Sequence, residues 1–190
     1  GQYNQVGANT EKVLKSTIAD LAHHADIFDA MAMDNNAVLI VHGGGTYGDK
    51  EKTMDRWVDQ YFQLPENVQK RLVIENCENC YSIDDVIQIS KRIRERGGQL
   101  PVVFDSHHYA CFKLNHPDQP QRHYKEFIQD VVDSWGDRYI VMHISNQGTG
   151  RLGHHSDFID KFPECFQYFA NELGLEFCLE VEAKGKQRAI

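Results

Sequence analysis

Pro101-Val102-Val103-Phe104-Asp105-Ser106-His107-His108 is the stretch that decides the fold. An apolar run enters an aspartate, and a histidine follows three positions later. The run reads as a buried parallel strand, and the polar residues sit just past its C-terminal end, where α/β folds carry their chemistry. Asp105 offers a hard oxygen ligand and His108 an imidazole. Spaced i, i+3 around a strand end, they can converge on one metal ion.

Working outward, the same pattern recurs with other polar residues. Ala37–Val41 is an apolar strand ending at His42, Leu72-Val73-Ile74 ends at Glu75, Tyr139–Met142 ends at His143, and Glu176–Val181 ends at Glu182. Helical spacing fills the gaps. A first helix starts at Asn9-Thr10-Glu11 and runs to about Met33, with His23 and His24 on its surface. Others cover Glu51–Phe62, Ser82–Arg96, His123–Ser134 and most of Phe158–Leu173, with a short turn at Pro65–Lys70. Ser82-x-x-Asp85 is a capping pattern, and Gly97-Gly98 stops that helix. A polar residue after one strand is ordinarily a turn residue or helix cap. Five in succession call for another cause, and strands set side by side around a barrel would aim them at one point.

Seven candidate ligands then converge: His42, Glu75, Asp105, His108, His143, His155 and Glu182. That is too many for one tetrahedral ion and suits two or three ions bridged by carboxylates. Such a cluster polarises a phosphodiester, generates hydroxide from water and stabilises the leaving oxygen. The mixed imidazole and carboxylate set fits Zn²⁺, Mn²⁺ or Fe²⁺ better than Ca²⁺. Side chains alternate along a strand, so Val141 shares the inward face with His143.

Composition sets the bounds. The 190 residues, 41% hydrophobic and 25% charged, suffice for one sizeable domain. No apolar run approaches the roughly 18–20 residues of a membrane helix, and the first residues do not resemble a signal peptide. The net charge of −8 disfavours nucleic-acid binding unless divalent ions offset the acids inside a site. Five irregularly spaced cysteines fit reduced thiols, so an intracellular, non-secreted location is expected. Cys77-x-x-Cys80 has no second such pair to complete a zinc ribbon. The ten histidines are the outlying count, and histidine is the commonest metal ligand.

After His42 comes Gly43-Gly44-Gly45-Thr46-Tyr47-Gly48-Asp49-Lys50. It is not a phosphate-binding loop, because Asp49 stands where the lysine should follow the last glycine. No Gly-x-Ser-x-Gly supports a serine hydrolase. The glycines are expected to let backbone approach a ligand closely.

The segments Val-His-Gly-Gly-Gly-Thr-Tyr-Gly-Asp-Lys, Leu-Val-Ile-Glu-Asn, Val-Phe-Asp-Ser-His-His, Met-His-Ile-Ser, His-Ser-Asp-Phe-Ile and Glu-Ala-Lys, in this order and spacing, resemble the UV damage endonucleases. The resemblance implies a TIM-type (β/α)8 barrel of the xylose isomerase-like and AP endonuclease kind, with about five βα units in this chain. It implies incision of DNA immediately 5′ of UV photoproducts by two or three divalent ions, manganese first and zinc as the alternative. The partner implied is damaged double-stranded DNA, with no membrane and no obligate protein partner. Metal-ligand roles fall on the same seven residues, with Glu75, Glu182 and His155 as the catalytic group. Gln2 and Tyr3 look like the family's pair that wedges into the duplex opposite the lesion. Lys50, Arg151 and Lys184 flank ligand-bearing loops and are candidates for phosphate contacts.

Three departures stand out. The chain begins where the family has a His-Pro-Gly-Gln segment, so residues 1–190 are expected to be a single domain, the C-terminal portion of the barrel. Val141 stands where the family usually has a lysine near the metals, and Cys77 where an aspartate commonly follows Glu-Asn. The alternative on the same barrel is a metal-dependent sugar isomerase or epimerase. A non-catalytic binder that has lost a metal is a third reading, resting on Val141.

Overall fold

The computed structural model describes residues 4–189. Five short strands, β1 (Leu39–His42), β2 (Leu72–Glu75), β3 (Val102–Asp105), β4 (Ile140–Ile144) and β5 (Phe177–Val181), pair in sequence order. Every pairing is parallel. Parallel neighbours need crossovers, and the helices supply them. These are α1 (Glu11–Ala30), α2 (Lys50–Tyr61), α3 (Glu66–Gln69), α4 (Ile83–Glu95), α5 (Ser106–Asn115), α6 (Tyr124–Trp135) and α7 (Glu164–Asn171). Among the described residues no helix is long and apolar enough to cross a membrane.

Alternation along the strands divides the sheet into two faces. Phe104 turns to the helices, where its ring lies 5.2 Å from Phe127 of α6 and 6.1 and 6.0 Å from Phe166 and Phe169 of α7. Ile74 and Met142 belong to the same helix-side core. Packing is reinforced at the N-terminal end of β3. There the Trp135 indole donates to the Val102 carbonyl at 2.8 Å, and the Val102 N–H donates to Ser134 Oγ at 2.9 Å. The opposite, inner face carries Val73, Val103 and Val141 as a buried apolar floor. Polar residues stand above it at the strand ends.

Local signals account for most boundaries. Ser82 and Asp85 form the reciprocal capping box at the start of α4, and Gly97 follows its end with φ +84°. Three expectations need correction. Residues 158–163 are not helical; α7 begins only after Pro163, whose missing N–H and fixed φ suit a helix start and not its interior. A helix absent from the sequence reading, α5, follows β3 directly. Its residues form no apolar stripe, and its start is specified by Asp105, whose side chain accepts from the His108 N–H at 2.6 Å. α1 also ends at Ala30, short of Met33.

Candidate metal centre

Strands β1, β2, β4 and β5 deliver His42, Glu75, His143 and Glu180 to the lining of one cleft of about 1000 Å³, and Asp105 at the end of β3 is buried behind it. His42 and Glu75 are register partners, as are Asp105 and His143. Glu75, only 3% exposed, is the hub. His42 Nε2 lies 3.0 Å from its Oε2, and His143 Nδ1 lies 2.9 Å from its Oε1. His143 Nδ1 is also 3.6 Å from Glu182 Oε1.

Asp105 is held from two sides. Its Oδ1 caps α5, and its backbone is clamped by the buried Asn76 amide, which donates to the Asp105 carbonyl at 3.0 Å and accepts from its N–H at 2.9 Å. His108, on the first turn of α5, is thereby placed over Glu75, with ring nitrogen and carboxylate 4.0 Å apart. His155 arrives from the loop after β4 through an isolated antiparallel bridge to Gln147. Gly148 permits this close passage, since a Cβ there would stand 2.4 Å from the His155 carbonyl oxygen. The His155 Nδ1–H donates to the Glu182 carbonyl, which leaves Nε2 with the lone pair.

The electrostatics follow from burial and neighbours. Burial opposes ionisation of Glu75, but the hydrogen bonds from His143 and His42 outweigh it and hold the carboxyl well below its usual range. Burial, joined by the nearby Glu75 charge, pushes Asp105 up to about 7. Burial disfavours the charged form of His143, yet contacts with Glu180 and Glu75 raise it to about 11. His108 is lowered, chiefly by burial. His107, beside the ligands, is pushed down to about 4 by burial and by His108 and His155.

This donor set fits divalent ions. Asp105 Oδ2 and His108 Nδ1 are buried and have no hydrogen-bond partner among the described residues. Ligand atoms of His42, Glu75 and His108 lie within 4.8 Å of one another, as do those of His108, His155 and Glu182, and those of Glu75, Asp105, His108 and Glu182. These groups can each hold a metal ion. His143 joins them through its contact with Glu75.

The remaining sequence candidates fare differently. Arg151 and Lys184 line the cleft, and neither forms an ion pair among the described residues. Lys50 turns away from it: its ammonium lies 2.8 Å from Asp85 and close to the rings of Tyr81 and Phe112. Gln2 and Tyr3 lie outside the described residues. Gly43 serves a protein contact where a ligand approach was expected, because a Cβ there would meet the Tyr81 ring at 2.5 Å. Cys77 Sγ accepts from the N–H groups of Cys80 and Tyr81 at 3.3 and 3.2 Å, so it braces the loop behind Glu75.

Three contributors were missed by the sequence reading. Glu78 Oε2 is 3.4 Å from His108 Nδ1, Glu180 Oε2 is 3.3 Å from His143 Nε2, and Asn76 clamps Asp105. Glu180 was findable, because it precedes Glu182 by two and therefore shares its face. Nothing in the local pattern marks Glu78 or Asn76.

The sequence profile of the UV-endonuclease UvdE family matches residues 1–190. A UV DNA damage endonuclease of Clostridium perfringens is 32% identical over 190 residues, covering 97% of this chain and 43% of its own length. A UV DNA damage endonuclease of Bacillus cereus is 25% identical over 193 residues, covering 100% of this chain and 57% of its own. A protein of Acanthamoeba polyphaga mimivirus is 31% identical over 195 residues, covering 100% of this chain and 56% of its own. The crystal structure of SacUVDE superposes with a TM-score of 0.82 at 29% identity, covering 100% of this chain and 60% of that one. The chain thus spans about half the length of the curated relatives it matches. The arrangement of strands and helices is that of a TIM-like barrel fragment.

Proposed function

The chain belongs to the UV-endonuclease UvdE family, and from that membership we propose that it acts in DNA repair, incising the backbone of damaged duplex DNA immediately 5′ of UV photoproducts. The observation that carries this reading is the convergence of His42, Glu75, Asp105, His108, His143, His155 and Glu182 at the ends of successive parallel strands and in the loop after β4. We assign these seven as ligands of two or three divalent ions, manganese before zinc, with Glu75, Glu182 and His155 nearest the chemistry. Such ions, when bound, supply a hydroxide at neutral pH and offset charge on the phosphate.

The chain's own residues do the rest. Glu75 touches histidines on both sides and would hold an ion together with them. Asp105 is held rigidly by Asn76 with one oxygen free to face the site. His155, anchored through Nδ1, presents Nε2 to the cleft. Arg151 and Lys184, at the cleft, are suited to phosphate oxygens of the substrate backbone. Lys50 is the weakest of the phosphate candidates, given its pairing with Asp85.

The test is a nicking assay on the intact native protein, loaded with manganese. The substrate is an end-labelled duplex with one defined thymine dimer, beside an undamaged control. A nick directly 5′ of the dimer, lost on chelation and in Glu182→Gln, is expected. A folded, metal-loaded protein that leaves the dimer duplex uncut would overturn the reading.

A further inference from the structure

We infer that Glu180 is a positioning residue of the metal centre: its carboxylate takes the Nε2–H of His143 and thereby aims the Nδ1 lone pair at the ions. The inference rests on the metal-centre reading above. β4 and β5 pair His143 with Glu180 and Val141 with Cys178. Partners in a parallel pair share a face, so Glu180 points where His143 points. The burial of β5 agrees, since Cys178 and Glu180 are its exposed residues, whereas Phe177, Leu179 and Val181 pack toward the helices. Glu180 lines the cleft.

The His143 ring spans two environments. Its Nδ1 looks toward Glu75 at 2.9 Å and Glu182 at 3.6 Å, two of the seven proposed ligands. Its Nε2 looks toward Glu180 at 3.3 Å and, though buried, has no aligned hydrogen-bond partner among the described residues. Without ions the His143 Nδ1–H donates to Glu75 at 2.9 Å; an ion held on that side would take the place of this proton, and the one N–H of the neutral imidazole then sits at Nε2, facing Glu180. Val141 and Cys178, the inner-face pair below, bring no charge to Nε2. Glu180 does, and its side chain is 49% exposed, free to adjust its torsions and align the contact. A carboxylate behind a ligating histidine is a recurrent way to set tautomer, ring orientation and basicity.

The experiment titrates Mn²⁺ into the intact protein after chelation, following free Mn²⁺ by electron paramagnetic resonance. It compares wild type, Glu180→Leu and Glu180→Gln. Glu180→Leu is expected to bind the same number of ions about 10–100-fold more weakly. Glu180→Gln, whose amide oxygen still accepts from Nε2–H, is expected to recover most of that loss. Nitrogen-15 shifts of His143 in a Zn²⁺-loaded sample should report a protonated Nε2 in wild type and in the glutamine variant. Wild-type affinity in the leucine variant would overturn the inference, and so would loss of one bound ion, which would make Glu180 a ligand itself. A wild type that binds no Mn²⁺ would instead overturn the metal-centre reading on which the inference rests.

Discussion

Phe104 and Asp105 are neighbours in the chain, and both are fully buried, yet they belong to opposite regions of the molecule. Phe104 faces the helices and is surrounded by aromatic rings. Asp105 faces inward, beside Glu75 and His143, with one carboxylate oxygen unpartnered among the described residues. The contrast holds along the sheet: Ile74 against Glu75, Met142 against His143. Period-2 alternation lets one residue secure the strand while the next holds chemistry. Stability is therefore concentrated on the helix side, and the inner strand ends can carry groups that folding alone would not select.

The sharpest way to break this comparison is on the stability side. Phe104→Ala should destabilise the chelated protein by about 3–5 kcal/mol in denaturant unfolding, because it empties the centre of an aromatic cluster. A cost below about 1 kcal/mol would show that the helix-side face is not where stability resides. The counterpart is Glu75→Gln. It should keep the wild-type far-UV circular dichroism in the metal-free state yet lower the incision rate by at least about 100-fold. Similar rates for the two proteins would remove Glu75 from the centre of the account.

Asp105→Asn separates the two roles at one position. Burial raises the Asp105 carboxyl to about 7, above its unfolded value. Between about pH 4 and 7 the folded state thus keeps a proton that the unfolded chain has released, and this contribution to stability is lost as pH rises. Asparagine retains the acceptor for the His108 N–H and carries no charge. The chelated variant should gain about 1–3 kcal/mol over wild type at pH 8 and nothing at pH 4, while its Mn²⁺ affinity falls. Parallel pH–stability curves would contradict the buried charge. The smallest effect is expected at the rim. Arg151→Ala should leave metal binding unchanged and reduce the salt dependence of DNA affinity by about one phosphate contact. An unchanged slope would remove Arg151 from the DNA surface.

Much of this was legible in the sequence because it rests on short-range pattern. The apolar run into Asp105, and its four repeats ending at His42, Glu75, His143 and Glu182, gave strand direction, strand order and the shared end. Parity placed Val141 beside His143 on the inner face, and the register agrees. What escaped depends on contacts across strands or on helices without a stripe. α5 has no apolar periodicity and is specified by its cap. Asn76 acts only by reaching the backbone of a different strand. Glu78 reaches His108 from a loop. The segment before Pro163 carries apolar residues at helical spacing but docks as irregular chain, with Ile159 N–H bonded to the Ala189 carbonyl.

The most direct test of the central claim, that the inner strand ends form one metal centre, is the number of ions bound. The intact protein would be stripped with chelator, re-equilibrated with Mn²⁺ and measured by metal analysis with circular dichroism as the control for folding. Two or three tightly held equivalents per chain are expected in wild type and fewer in a folded Glu75→Gln. A folded wild type that holds none, or a Glu75→Gln that holds as many, would contradict that claim.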